Sequence, residues 1–438
     1  MVTIAFIGAG SVEFTQQLVA DLLRLPGLES TRFALHDIDP ARLATAEATA
    51  RHVNGRLGTR AVVTATLDRR EALREADFVI NMIQVGGIEA TRTDHLIPAR
   101  YGLRQTIADT TGVGGVFRAL RTFPVLTALA DDMRQLCPEA LLLNYTNPMA
   151  MNLWWLHTVA PDIASYGLCH SVYWTAHDLS ELVGVPLSEV SYRAAGVNHQ
   201  AWLLQWERAG ESLYPALREK IATDPELRRR VRVEMFTKLG YYPTETSEHS
   251  SEYVSWFLRS DEQIERFRLV ESEYLQISED NLATLAETRA TLERGGDLEL
   301  EEGASEYAPQ IIHSMVTGAV REIHVNVPNH GLIDNLPDDA VVEVPATVDA
   351  EGVHPIAMGS LPLVCAGLNQ TYISVARLTV EAARTGDPEL VRQAVLLDPN
   401  ASSTLTPRQI WAMCDELTQA HGDLLPQPLR VLLGEGAR

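Results

Sequence analysis

Cysteine is scarce: Cys137, Cys169, Cys365 and Cys414 are the only four in 438 residues, too few for a disulfide framework. Such usage predicts a reducing, cytoplasmic setting in which a thiol can ionise and bind metal. Long apolar runs are lacking as well, and none approaches the roughly 20 residues of a membrane span. The first strand-like run starts at Val2, which is read as leaving no room for a secretory leader. Positive charge is under-represented. Lysine and arginine total 36 against 58 aspartates and glutamates, a formal net charge of −22 at pH 7. That balance argues against nucleic acid or an anionic membrane as the main partner. No repeat, low-complexity tract or linker interrupts the chain. Its length suits two or three domains, or one large core with insertions.

What is present is an alternation of strand-like and helix-like runs. Val2 to Ile7 is an apolar strand, Gly8-Ala9-Gly10-Ser11 follows, and a helical run continues to Leu25. The glycines allow a tight turn and the close approach of a pyrophosphate to a helix N-terminus. The third position of the glycine pattern is Glu13, which predicts wider helix–strand spacing there. A second strand, from Phe33, ends in acid, and Asp37 stands where a carboxylate binds a ribose hydroxyl, favouring NAD over NADP. Further strands are predicted at 62–66, 77–83, 140–145 and 164–168, with helices between. The expected fold is α/β, a Rossmann-type doubly wound parallel sheet. Residues 1–170 form the dinucleotide-binding domain in this reading, and 171–438 a mixed α+β catalytic domain packed on it. Residues 84–87 follow a strand end, where such folds bind ligands. A second glycine-rich turn at 107–115 opens a helix over 116–136, with Asp109 as a site acid or only a cap. Asn147-Pro148 is either a turn or an amide offered to a polyol.

Strands at 192–195 and 201–206 bracket Asn198-His199, and 207–210 reads as a hairpin turn. Helices are expected over 215–239, over 261–294 as a peripheral arm, and over 305–320. A strand and turn at 322–331 and a small sheet from 333–337 and 340–344 come next. Helices over 368–385, 388–396 and 407–418 close the chain, with Asp387 and Thr406 as caps before prolines. Residues 240–253 crowd carboxylates, a histidine and tyrosines beside a helix start, which equally suits a solvated helix N-terminus. Cys169 and His199 offer one thiolate and one imidazole. No CxxC or HxxxH completes a four-ligand structural site. Two protein ligands leave positions for substrate oxygens on a catalytic ion. Ligand softness alone favours zinc or another later transition metal over manganese.

Taken jointly, these motifs resemble glycoside hydrolase family 4, the NAD- and manganese-dependent glycosidases. The matching residues are Phe6 to Ser11, Asp109 to Gly115 with Phe117-Arg118-Ala119-Leu120-Arg121, Asn144 to Pro148, Cys169-His170-Ser171-Val172 and Gly196 to His199. They run in order to about residue 260 and continue more weakly through 326–337. The resemblance implies a lactate/malate dehydrogenase-like fold, NAD and Mn2+ (or another divalent metal) as cofactors, and a homo-dimer or homo-tetramer. It implies cleavage by hydride removal from C3, loss of the C2 proton, elimination of the glycosidic oxygen, water addition and hydride return, outside two-carboxylate glycosidase chemistry. Cys169 and His199 become the metal ligands. Gly8, Gly10, Ser11 and Asp37, with Asn147, surround the cofactor. Asn147, Asn198 and His199 face the sugar, and Asp109 stands near the catalytic base. His170 replaces the proton-donating aspartate of phospho-α-glucosidase relatives and resembles the members acting on unphosphorylated α-galactosides and α-glucosides. The base is expected at Glu248 or Tyr253, with His249 in reserve. An α-galactosidase is the first expectation. An α-glucosidase, an α-glucuronidase or an α-galacturonidase comes next, the last two disfavoured by the acidic 247–253 stretch. A lactate/malate-type dehydrogenase and a non-catalytic NAD sensor compete from other classes.

Overall fold

In the computed structural model, which describes residues 1–12, 14–300 and 306–434, thirteen strands join in one sheet. In chain order they are β1 (Thr3–Ile7), β2 (Arg32–His36), β3 (Val62–Thr66), β4 (Phe78–Asn81), β5 (Leu141–Asn144), β6 (Ser165–Gly167), β7 (Val190–Val197), β8 (Gln200–Arg208), β9 (Glu211–Ser212), β10 (Tyr242–Pro243), β11 (Arg321–Pro328), β12 (Val341–Asp349) and β13 (Gly352–Pro355). The first six lie in the order 3-2-1-4-5-6, every pair parallel. That is the doubly wound dinucleotide-binding arrangement. Its inner strands are short apolar runs, such as Ile4 to Ile7, buried on both faces by helices.

The sheet does not stop at β6. Asn326 of β11 pairs antiparallel with Gly167, and β12, β7, β8 and β10 continue outward from there. The C-terminal half therefore extends the nucleotide sheet as well as packing on it. β7 and β8 form a hairpin whose turn is Asn198-His199, with His199 in the left-handed region at φ 64°. The turn at Ala209-Gly210 has positive φ at both residues, as a type I′ hairpin turn requires.

Several expected elements differ in detail. The 215–239 helix breaks into Tyr214–Thr223 and Val231–Leu239, because Pro225 removes a donor and blocks continuation. The 261–294 arm breaks into Asp261–Phe267 and Glu273–Glu293, with Arg268 and Ser272 at positive φ between them. Its second helix lies across helix Pro40–Leu57, where Arg289 donates to Thr45 Oγ1 at 2.9 Å. Residues 333–337 are a turn, not a strand. The Asn329 amide holds it, donating to the carbonyls of Ile333 and Leu336 and accepting from Ile333 N. The helix expected from 305 is Tyr307–Thr317; Ser305 and Glu13 lie outside the described residues. The helix expected from 116 begins at Gly112 and runs to Leu136. It is the one helix among the described residues long and apolar enough to cross a membrane, yet 78% of its apolar window is buried. It carries the buried Arg118 and Arg121 and is a core helix.

Asp387 and Thr406 cap their helices as expected, Thr406 in a reciprocal box with Gln409. Asp398 caps the short helix Pro399–Thr404, accepting from Ala401 N at 2.8 Å, and is almost wholly buried. Burial, with some repulsion from Glu252, pushes its carboxyl up to about 7. Between the unfolded and folded values the folded chain holds the extra proton, so stability falls as pH climbs from about 4 to about 7. Asp398→Asn keeps the capping oxygen and removes the charge. Its melting temperature should exceed the wild type's by at least about 2 °C at pH 8, with the gap closing near pH 4. Scanning calorimetry showing parallel curves would refute this.

Candidate active site

Strand β1 delivers the loop Gly8–Ser11 to the C-terminal edge of the sheet. Gly8 has φ 83°, and a Cβ there would lie 2.9 Å from the carbonyl of Met82. Gly10 N donates to Asp37 Oδ2 at 2.8 Å, and Arg42 donates to Gly10 O at 3.2 Å. Asp37 Oδ1 accepts from Asp39 N at 2.9 Å, so the acid that ends β2 is tied into the glycine turn. A cavity of about 380 Å³ opens over this loop. Thr45 and Thr49 line one side, Leu285 and Thr288 of the arm helix another, and it extends to His170, Trp174 and Glu306.

The second cluster forms where β5, β6 and the β7–β8 turn end. Cys169 follows β6 and His199 sits in the turn. Glu245 follows β10 and meets both. Its Oε2 is 3.9 Å from Cys169 Sγ and 3.5 Å from His199 Nε2. The three donor atoms all lie within 4.8 Å of one another.

The tautomer of His199 follows from its neighbours. The Thr110 hydroxyl donates its single proton to Asp109 Oδ1 at 2.6 Å and must therefore accept from His199 Nδ1 at 2.8 Å. Nε2 then bears the lone pair and points toward Glu245. Burial lowers this imidazole to about 4, against the opposing pull of Glu245. It is neutral at pH 7, as a metal ligand must be. The Cys169 thiol is raised well above its usual range by burial, then by the charges of Glu245 and Glu343. Glu343 of β12 faces Gly196 across the sheet and is fully buried. Burial and Glu245 push it up to about 8. A neutral imidazole with its lone pair turned inward, among this many acids, suits a divalent cation.

Asp109 and His249 close the other side. His249 Nε2 is 3.5 Å from Asp109 Oδ1, and Nδ1 is 3.6 Å from Glu245 Oε1. Burial alone would lower the His249 imidazole, but the two carboxylates raise it to about 9. Burial opposes ionisation of Asp109 too, but contact with His249 holds it well below the usual carboxylate range. Asn147, next to a cis Pro148, donates to Asp109 Oδ2 at 2.8 Å. Asn198 is buried beside His199, and neither of its amide atoms has a partner among the described residues.

The other sequence-predicted residues are placed as follows. His170 opens helix Ser171–Leu182 and lies on the dinucleotide side, its Nδ1 2.8 Å from Glu306 Oε1. Tyr253 is buried, its ring centroid 6.3 Å from that of His249. Burial, then the charge of Asp109, raises its hydroxyl well above the usual range. Glu248 uses its carbonyl to accept from Thr106 Oγ1 at 2.9 Å. No hydrogen bond or ion pair among the described residues joins its carboxylate to the Asp109–His249 group.

Sequence reasoning missed Glu245, Glu252 and Glu306. Glu252 accepts from the backbone N–H groups of Thr106, Ile107 and Ala108, at 2.6, 3.1 and 3.0 Å. It thereby pins the loop that carries Asp109 and Thr110. Glu245 and Glu252 both lie in the 240–253 stretch, whose acid content was the one available signal.

Comparison with known proteins follows the same lines. The model of the family 4 glycosyl hydrolases matches residues 3–185, and that of the family's C-terminal domain matches residues 194–401. An α-galactosidase of Bacillus subtilis (strain 168) is 41% identical over 432 residues, 98% of this chain and 100% of the relative. An α-galactosidase of Rhizobium meliloti (strain 1021) is 36% identical, over 97% of this chain and 89% of the relative. The crystal structure of a 6-phospho-α-glucosidase from gut microorganisms, in complex with NAD and Mn2+, superposes with a TM-score of 0.83. That match covers 97% of this chain and 99% of the other at 21% identity, a likeness of fold. The glycine loop, the Cys169–His199 pair and the sheet that joins them thus sit in a chain matched through both halves, and that chain belongs to glycoside hydrolase family 4.

Proposed function

We propose that the protein hydrolyses α-galactosides with the help of NAD and a divalent cation, Mn2+ first among candidates. The observation that carries this reading is the convergence of Cys169 and His199 on one point of the sheet that also carries the dinucleotide loop, with His170, the neighbour of Cys169, lining the cavity over that loop. The 41% identical α-galactosidase supports the sugar. When bound, the dinucleotide supplies reversible hydride exchange and the cation supplies polarisation of sugar oxygens. In this reading residues 1–170 hold the cofactor, through Gly8, Gly10, Ser11 and Asp37, and 171–438 complete the substrate site. Cys169 Sγ and His199 Nε2 hold the cation. Asn147, oriented by Asp109, and the buried Asn198 present amides to sugar hydroxyls. His170, fixed by Glu306, hands a proton to the departing glycosidic oxygen. For the C2 proton, position supports His249 or Tyr253 ahead of Glu248, because both stand beside Asp109. Each holds its own proton at pH 7 and would have to release it before acting as a base, which the positive charge of a bound cation favours. The ionised acids Asp109 and Glu245 favour a neutral sugar over a phosphorylated or uronic one, since like charges at close range repel. A cytoplasmic homo-dimer or homo-tetramer is proposed on the family resemblance, and four free thiols are in keeping with a reducing setting.

The test is release of p-nitrophenol from p-nitrophenyl α-galactoside under reducing conditions, with and without NAD+ and Mn2+. Hydrolysis should need both and leave no net NADH. Product formed in D2O should carry deuterium at C2, which direct displacement does not produce. NADH accumulating on a 2-hydroxy acid, with no hydrolysis of α-galactoside, α-glucoside or α-glucuronide, would overturn the proposal in favour of a dehydrogenase.

A further inference from the structure

We propose that Glu245 is a third protein ligand to the cation, completing a thiolate–imidazole–carboxylate set with Cys169 and His199. The inference rests on the reading above that a divalent cation sits at this pair.

Spacing is the first argument. Ligand bonds of roughly 2.0–2.3 Å put neighbouring donors about 3–4 Å apart. Glu245 Oε2 stands 3.5 Å from His199 Nε2 and 3.9 Å from Cys169 Sγ. The second argument is the backbone. Eight non-glycine residues among those described have positive φ, and His199 at 64° and Glu245 at 71° are two of them. Such conformations are costly and gather where a side chain must be aimed. Both of these aim at the same point. Topology is the third. Tyr242 and Pro243 pair with Leu203 and Trp202 of β8, and Thr244 N donates to Ala201 O at 2.9 Å. This register brings Glu245 alongside the hairpin turn that carries His199.

The remaining oxygen has a cationic neighbour rather than a second ligand atom. Glu245 Oε1 faces His249 Nδ1 at 3.6 Å, and ligating carboxylates are usually oriented by such an outer contact. Charge agrees too: a thiolate and a carboxylate together balance a divalent cation. The hard oxygen also bears on metal choice. Cys169 and His199 alone favour zinc by softness, whereas an added carboxylate moves the site toward manganese. Glu245 is thus a metal-selecting residue as well as a holding one.

The experiment is Mn2+ titration followed by loss of the free aquo-ion signal in electron paramagnetic resonance, with NAD+ present. It would be run on wild type, Glu245→Gln, Glu245→Ala and Cys169→Ser. Both Glu245 variants should bind Mn2+ at least about 30-fold more weakly, beyond the middle of the range for outer-shell changes. Their preference for Zn2+ over Mn2+ should rise, while NAD+ affinity holds, which reports an intact fold. Unchanged Mn2+ affinity in both Glu245 variants, with Cys169→Ser weakened, would overturn the third ligand and leave the cation site standing. Unchanged affinity in all three would overturn the site itself.

Discussion

Cys169→Ser is expected to lose metal-dependent turnover by more than about 100-fold, beyond the range for outer-shell changes, while NAD+ binding survives. The thiol lies among acids that, with burial, keep it protonated. Only a cation at the site can draw that proton off and gain a thiolate, because metal binding and ligand deprotonation are one coupled equilibrium. A serine hydroxyl has no comparable ionised form near neutral pH, so the substitution deletes the donor at nearly constant shape. The residues proposed to contact the dinucleotide, Gly8–Ser11 and Asp37, follow other strands, which separates the two readouts. The check is p-nitrophenol release across a Mn2+ series, with NAD+ affinity from fluorescence quenching. Full activity of the variant without added metal would sink the ligand assignment.

Gly10→Ala should have the opposite signature: NAD+ affinity falls by at least about 30-fold, equivalent to about 2 kcal/mol, while Mn2+ binding is retained. A Cβ at position 10 would lie 2.7 Å from Asp37 Oδ2 and 2.5 Å from Arg42 Cβ. Neither neighbour can simply rotate away. Asp37 is held by two backbone N–H groups, and the Arg42 Cβ is fixed to helix Pro40–Leu57. Relief of the overlap therefore displaces the carboxylate proposed to meet the ribose. Isothermal titration with NAD+ measures the loss. Wild-type affinity in the variant would mean that the glycine turn does not hold the cofactor as argued.

The elements around these two sites were readable to different degrees. β1, the glycine loop and the acid ending β2 form one local run, in which strand burial and turn chemistry act within a few residues of each other. Cys169 and His199 were legible because each follows an apolar strand end. The breaks at Pro225 and at residues 268–272 were not read, because helical periodicity continues across them. The turn at 333–337 looked like a strand because its apolar spacing resembles one. Asn329 decides otherwise by taking up the carbonyls a strand partner would have used.

The sequence by itself determined the parallel nucleotide half, the glycine loop, the acid at Asp37 and the thiol–imidazole pair. Each depends on short-range periodicity or on residue chemistry at one place. Only the tertiary structure decided that β11 and β12 carry the sheet past β6, and which acids reach the cleft. Glu245 meets Cys169 across 76 positions, Glu306 meets His170 across 136, and Glu252 meets Thr106 across 146. Contacts of that separation depend on strand order and register, which no local pattern in the chain encodes.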